Sequence, residues 1–236
     1  MRSLVLTVLA VVLAACGGAS SSASTAAPAA FDPADCERPL IEIRNQDDVH
    51  RISECMVITG SIVLSTGVDV SLRPLAGLER IDGDLRVGPT LALTAVEGMR
   101  ALTTVGGSVE IDGNALLTTV SLTALRSVGG GITIHRNASL SSLASEMLAI
   151  VEGSVVIARN ADLFLISLSA LERVGGDFEV SGNGRLELFD APALAEVGET
   201  LVIERNRALD QKLVEALIQR LAPQDAGSGE IAPPSD

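Results

Sequence analysis

An asparagine recurs every 23 residues along the second half of the chain. These residues are Asn114, Asn137, Asn160, Asn183 and Asn206. Each has apolar residues five and three positions before it, a leucine three positions after it and another leucine eleven positions after it. A fixed period of this length is typical of a solenoid, in which each repeat forms one coil stacked on the next. The sequence therefore predicts a mainly β solenoid of about seven 23-residue coils with parallel strands.

The asparagines are expected to be structural. Where the chain turns at the end of each strand, backbone donors and acceptors lose their strand partners, and an unpaired buried group costs roughly 1–3 kcal/mol. The Asn amide carries both a donor and an acceptor and tolerates turn conformations. Coils about 4.8 Å apart also let identical amides bond to one another. We therefore interpret the five residues as a scaffold ladder and not as ligand contacts.

A glycine in the same register opens most coils from Gly60 onwards, and we expect it to supply a turn with positive φ or a close backbone approach.

The two ends of the repeat region depart from its pattern. The first two coils lack the ladder Asn. At the C-terminus, the apolar residues between Leu209 and Leu221 follow helical spacing, which predicts a capping helix. Periodicity leaves the segment 140–151 open between an extended arc and a helical turn.

The first 15 residues are interpreted as a signal peptide, because Arg2 precedes a short apolar run that ends in Leu13-Ala14-Ala15-Cys16. These last four residues resemble the lipobox of bacterial lipoproteins. The resemblance implies cleavage before Cys16 and lipidation of Cys16, so that the membrane is a partner through the lipid anchor. The residue after Cys16 is Gly17 and not Asp, and in this the chain resembles lipoproteins sent to the outer membrane, if the source has two membranes. Residues 16–35 are predicted to be a flexible linker and residues 223–236 a disordered tail.

Two further cysteines, Cys36 and Cys55, are predicted to form a disulfide. Lipidation of Cys16 leaves this pair in an exported chain, where an oxidising environment favours a bridge. Together with the apolar residues between them, they predict a distorted first coil that closes the N-terminal end of the solenoid.

The repeat I-x-I-x-x-N-x-x-L, closed at its N-terminus by a cysteine pair, resembles the receptor L domain, a leucine-rich-repeat-like right-handed β-helix. The resemblance covers residues 36–222 and implies an L-domain-like solenoid over that range. Its leucine lies three residues after the Asn, whereas the standard leucine-rich repeat has it two residues after. The resemblance implies a fold and a place at the cell surface, but no receptor function.

The sequence contains no pattern typical of an enzyme. His50 and His135 are almost four coils apart, and no nucleophile elbow, HExxH or P-loop is present. Glu110 and Glu179 lie three coils apart, or about 14 Å, which exceeds the ~5–9.5 Å between glycosidase carboxylates. The pair Glu110 and Asp112 is closer, so a polysaccharide-active enzyme remains a third hypothesis. No cofactor or metal is expected, and the net charge of −13 disfavours nucleic acid as a partner.

A binding face on the outward side of the strands is the leading functional hypothesis. Its candidate residues are Glu110, Asp112, His135, Arg136, Arg159, Glu179, Glu204 and Arg205. The first hypothesis is a lipid-anchored recognition or adhesion module of the cell envelope that binds a protein or cell-wall partner. The alternative is a structural envelope spacer without a specific ligand, in which these charges form a solvated face.

Overall fold

The computed structural model describes residues 31–221. The signal peptide, Cys16, most of the linker and the tail lie outside the described residues. The described part is a solenoid of about seven coils with three faces, each formed by a sheet of parallel strands. This architecture confirms the predicted fold class.

The strands are numbered in chain order. The eight-stranded sheet contains β1 (Leu40–Ile43), β3 (Ser61–Leu64), β5 (Leu85–Val87), β8 (Val109–Asp112), β11 (Ile132–His135), β14 (Val155–Ala158), β17 (Phe178–Ser181) and β20 (Leu201–Glu204), paired in that order. The seven-stranded sheet contains β2 (Val57–Ile58), β4 (Arg80–Ile81), β7 (Thr104–Val105), β10 (Ser127–Val128), β13 (Ile150–Val151), β16 (Arg173–Val174) and β19 (Glu196–Val197). The five-stranded sheet contains β6 (Ala95–Val96), β9 (Thr119–Ser121), β12 (Ser142–Ala144), β15 (Leu165–Ser167) and β18 (Leu188–Asp190).

The register between coils follows the sequence period. Ile132 lies opposite Val155, and Val155 lies opposite Phe178, so equivalent residues of successive coils are neighbours. Within a strand such as β11, buried and half-exposed residues alternate. Aliphatic side chains from all three sheets therefore fill one continuous core that runs the length of the stack.

The N-terminal end is closed by a compact cap. A 3₁₀ helix, Pro33–Glu37, spans the predicted junction between linker and solenoid. It is joined to the segment between α1 and β2 by the Cys36–Cys55 disulfide, with a Cα–Cα distance of 5.7 Å, which confirms the predicted pair. Helix α1 (Gln46–Arg51), which the sequence pattern did not predict, begins at Asn45, whose side chain accepts hydrogen bonds from the N–H groups of Asp47 and Asp48.

The C-terminal end carries helix α2 (Gln211–Leu221), as its helical spacing predicted. The helix buries Val214 and Leu217. The segment 140–151 contains two short strands and no helix, so the extended interpretation is correct there.

The recurrent glycine serves close packing between coils. A Cβ atom on Gly175 would lie 2.1 Å from the carbonyl oxygen of Glu152, and one on Gly198 would lie 2.0 Å from the carbonyl oxygen of Gly175. Neither glycine has a positive φ. Of the two expected roles, close approach is therefore the one that operates at these positions.

Candidate binding face

The asparagine ladder runs along the turn that follows the eight-stranded sheet. The Asn160 amide oxygen accepts hydrogen bonds from the backbone N–H and the Nδ2 of Asn137, at 3.0 and 3.2 Å. The Asn160 Nδ2 donates to the carbonyl of Ile134 at 2.9 Å, and its backbone N–H donates to the Oδ1 of Asn183. Equivalent bonds link the other rungs, and all five side chains are buried. The geometry accounts for these residues through the scaffold alone.

Two buried threonines extend the ladder into the coils that lack asparagine. Thr90 donates its hydroxyl hydrogen to the Oδ1 of Asn114 at 2.8 Å, and Thr66 donates to the carbonyl of Arg44 at 2.9 Å. The sequence analysis missed both residues, because they are spaced by 24 residues and so drop out of the 23-residue register. A repeat pattern that allowed Thr in place of Asn, and one inserted residue in a coil, would have identified both positions.

A second polar ladder lies just before the same strands and was also missed. Ser61 Oγ accepts from the N–H of Asp84, and Asp84 Oδ1 accepts from the N–H of Ser108. Ser154 and Asp177 make the equivalent bonds to the next coils. These side chains bond to the backbone of the following coil, which removes them from the set of free polar groups.

The outward side of the eight-stranded sheet is the candidate binding face. Its central column is exposed or half-exposed from one end to the other. The column consists of Glu42, Val63, Arg86, Glu110, Thr133, Val156, Glu179 and Val202. Three of the first four residues of this column are charged, whereas Thr133 and Val156 in its middle are uncharged.

Three of the predicted face residues form one cluster. Asp112 ends β8, and it accepts hydrogen bonds from Arg136 through two guanidinium nitrogens, one of them at 3.0 Å. His135 Nδ1 lies 3.4 Å from the same carboxylate. The bonds from Arg136 hold the pKa of Asp112 below its usual value, with a smaller contribution from His135, although partial burial acts in the opposite direction. Asp112 raises the pKa of Arg136 in turn. These contacts therefore favour the ionised form of the carboxylate.

The remaining predicted residues are dispersed. Glu110 lies 3.5 Å from Arg86 on the neighbouring strand, and Glu204 lies 3.4 Å from Arg205. Glu179 accepts a hydrogen bond from the hydroxyl of Ser181. Arg159 has no carboxylate within 4.0 Å among residues 31–221. The structure therefore brings Asp112, His135 and Arg136 into one cluster and pairs Glu204 with Arg205, and it leaves the other predicted residues apart.

The arginine column has an unusual backbone. Arg136, Arg159 and Arg205 all have φ values of 54–56°, and the equivalent positions in the other coils are Gly113 and Gly182, also with positive φ. This left-handed turn directs the chain so that the following Asn points inward. The position one residue before each ladder Asn is always Gly or Arg, but the left-handed turn was not predicted from this pattern.

Within residues 31–221, no three His, Cys, Asp or Glu side chains converge as a metal site requires. Over the same range, no helix combines the length and apolar character needed to cross a bilayer. Glu110 and Glu179 are separated by three strand steps, as expected. Glu110 and Asp112 point outward from one strand, but each contacts an arginine.

Comparison with known proteins returned no family model, no curated protein and no solved structure that matches the chain. The parallel solenoid is established by the structure itself, and the resemblance to the receptor L domain and to lipoproteins rests on the sequence motifs.

Proposed function

We propose that the protein is a lipid-anchored recognition or adhesion module of the cell envelope, with an L-domain-like solenoid held at the membrane by Cys16. The outward face of the eight-stranded sheet would bind a protein or cell-wall partner. The supporting observation is the regular array of exposed or half-exposed side chains across eight paired strands. Such an array offers a rigid surface on which side chains of successive coils are about 4.8 Å apart.

The middle of this face is the best contact region. Thr133 and Val156 are Cα partners on adjacent strands, and Ala158 beside them is small and buried. An uncharged patch between charged flanks has the composition of an interface centre with a polar rim. The flanking clusters, including Asp112 and Arg136, would then set orientation and association rate more than affinity.

The alternative, an envelope spacer without a specific ligand, is favoured by one observation. Several charges of the face are already paired, Arg86 with Glu110 and Arg136 with Asp112 between neighbouring coils, and Arg205 with Glu204 within one coil. Asp112 is not proposed as a general acid, because its pKa is lowered whereas that role requires a raised pKa.

Site-specific photocrosslinking in intact cells would separate the two candidates. A benzophenone amino acid is placed at Thr133 or Val156 on the face and, as a matched control, at half-exposed Ser167 on the five-stranded sheet. A recognition module gives one adduct of defined mass from both face positions and none from Ser167. Absence of an adduct at the face, or the same adducts at all three positions, would favour the spacer.

A further inference from the structure

A cleft of about 270 Å³ lies at the N-terminal end of the solenoid, where it adjoins the outward face at Glu42. Its walls come from the 3₁₀ helix, from β1 and from α1. The volume is close to the ~300 Å³ at which ligand-binding clefts begin.

One edge of β1 runs along this cleft. The carbonyls of Pro39 and Ile43 accept hydrogen bonds from Ser61 and Ser65 of the next coil. Because N–H and C=O groups of alternate residues point to opposite edges of a strand, Leu40 and Glu42 direct theirs away from β3. β1 is the terminal strand of the eight-stranded sheet, and no described strand pairs with its outer edge.

Helix α1 limits how far this edge extends. The N–H of Arg44 donates to the Oδ2 of Asp48, so the edge is already satisfied two residues beyond Glu42. The open edge therefore offers the donors and acceptors of Leu40 and Glu42, which suit a short extended chain.

The charged side chains around the cleft are three arginines and the three carboxylates with which they pair. Three ion pairs border it, namely Arg38 with Asp35, Arg51 with Asp48, and Arg44 with Glu42. In each pair the arginine side chain is the more exposed partner: Arg38 is 54 % exposed against 6 % for Asp35, Arg51 is 38 % against 13 % for Asp48, and Arg44 is 70 % against 47 % for Glu42. In a chain with a net charge of −13, this local arrangement is complementary to an anionic ligand.

We propose that this cleft binds an acidic peptide segment in extended conformation, which adds to the free edge of β1 as a further strand. The backbone of the peptide would pair with Leu40 and Glu42, and its carboxylates would contact the arginines. An anionic lipid headgroup fits less well, because it does not offer the regularly spaced N–H and C=O groups that pair with a strand edge.

The test uses the full chain carrying Cys16→Ser and a fluorescent, blocked Glu-Val-Glu-Val-Glu-Val-Glu peptide at about 0.15 M salt, where the Debye length is about 8 Å. Further probes are the Lys-Val counterpart, two acidic peptides N-methylated on one or the other backbone edge, and phosphatidylglycerol vesicles. Fluorescence anisotropy gives affinity, and hydrogen exchange reports the amides of Leu40 and Glu42.

We expect the acidic peptide to bind at least about tenfold more tightly than the Lys-Val peptide and to protect both amides. N-methylation of the peptide edge that pairs with Leu40 and Glu42 should abolish binding, and N-methylation of the opposite edge should not. Arg44→Ala should weaken binding at least about tenfold. The matched control is Arg185→Ala, since Arg185 is 71 % exposed and paired with Asp162 much as Arg44 is 70 % exposed and paired with Glu42.

Several outcomes would overturn the proposal. Absence of peptide binding, equal effects of Arg44→Ala and Arg185→Ala, or equal binding of both methylated peptides would each do so. Protection of Leu40 and Glu42 without peptide would show that another part of the chain or a second copy already occupies the edge. Vesicle binding that depends on Arg44 without amide protection would assign the cleft to lipid instead.

Discussion

Replacement of Asn160 by alanine tests whether the ladder holds the coils together. Asn160 lies in the middle of the stack and is 0 % exposed. Alanine would leave the N–H of Asn137 without its acceptor, at a cost of about 1–3 kcal/mol. It would also remove the bonds to Asn137 Nδ2 and to the Ile134 carbonyl, at about 0.5–1.5 kcal/mol each. The expected loss of unfolding free energy is therefore about 2–6 kcal/mol.

Two control variants make this expectation specific. Arg159→Ala changes the adjacent residue, whose side chain is exposed, so it should alter the free energy of unfolding by no more than about 0.5 kcal/mol. Asn206→Ala removes the last rung. The Asn206 amide oxygen accepts a hydrogen bond from the backbone N–H of Asn183 but none from the Nδ2 of Asn183. Asn206 is also 4 % exposed, so solvent can replace part of what is lost and the effect should be smaller than for Asn160.

Urea unfolding followed by far-UV circular dichroism measures all three variants, since the chain has no Trp or Tyr for intrinsic fluorescence. The slope of free energy against urea should stay constant, because a changed slope would signal partial unfolding of the stack. A larger loss of unfolding free energy in Arg159→Ala than in Asn160→Ala would refute the assignment of inward and outward columns. It would also refute the proposed binding face, which depends on that assignment.

Three further predictions concern the anchor, the charged cluster and the coil contacts. Cys16→Ser should release the protein from membranes, and a variant that still sediments with membranes after a salt wash would contradict lipidation. Because the pKa of Asp112 is lowered on folding, its ion pair should stabilise the fold above the ordinary value of 3.8 and lose that effect as pH falls below it. Asp112→Asn should accordingly flatten the dependence of unfolding free energy on pH between about pH 2 and 5, as should Arg136→Met. Gly175→Ala should destabilise by about 1–3 kcal/mol through its clash with the backbone, whereas Gly184→Ala, which has open space around it, should not, and thermal unfolding compares the two.

The core and the coil count were predictable because a repeat places one side chain in the same environment many times. Ile132, Val155 and Phe178 differ in shape, yet each fills the same inward position of successive strands. Because five coils carry the same pattern, an atypical residue in one coil does not hide the position that the others share. Helix α1 was missed for the complementary reason, since it occurs once and is shorter than two helical turns.

The polar details were less predictable, because they depend on backbone geometry that the period does not record. Thr66 and Thr90 replace asparagine only after a one-residue insertion, which shifts them out of register. The contact between Asp112 and Arg136 depends on side-chain rotamers and on the left-handed turn at Arg136. Neither feature follows from residue spacing, so the sequence did not predict which charges on the face lie close together.

The pairing of charges on the face bears on how a partner would be recognised. A ligand that displaced Arg136 from Asp112 would have to replace a bidentate, charge-assisted interaction, so little net free energy would remain. Contacts at Thr133 and Val156 carry no such cost, because these side chains make no ion pairs to disrupt. Binding free energy should therefore concentrate in the uncharged middle of the sheet, while the paired charges on either side discriminate against partners of the wrong charge pattern.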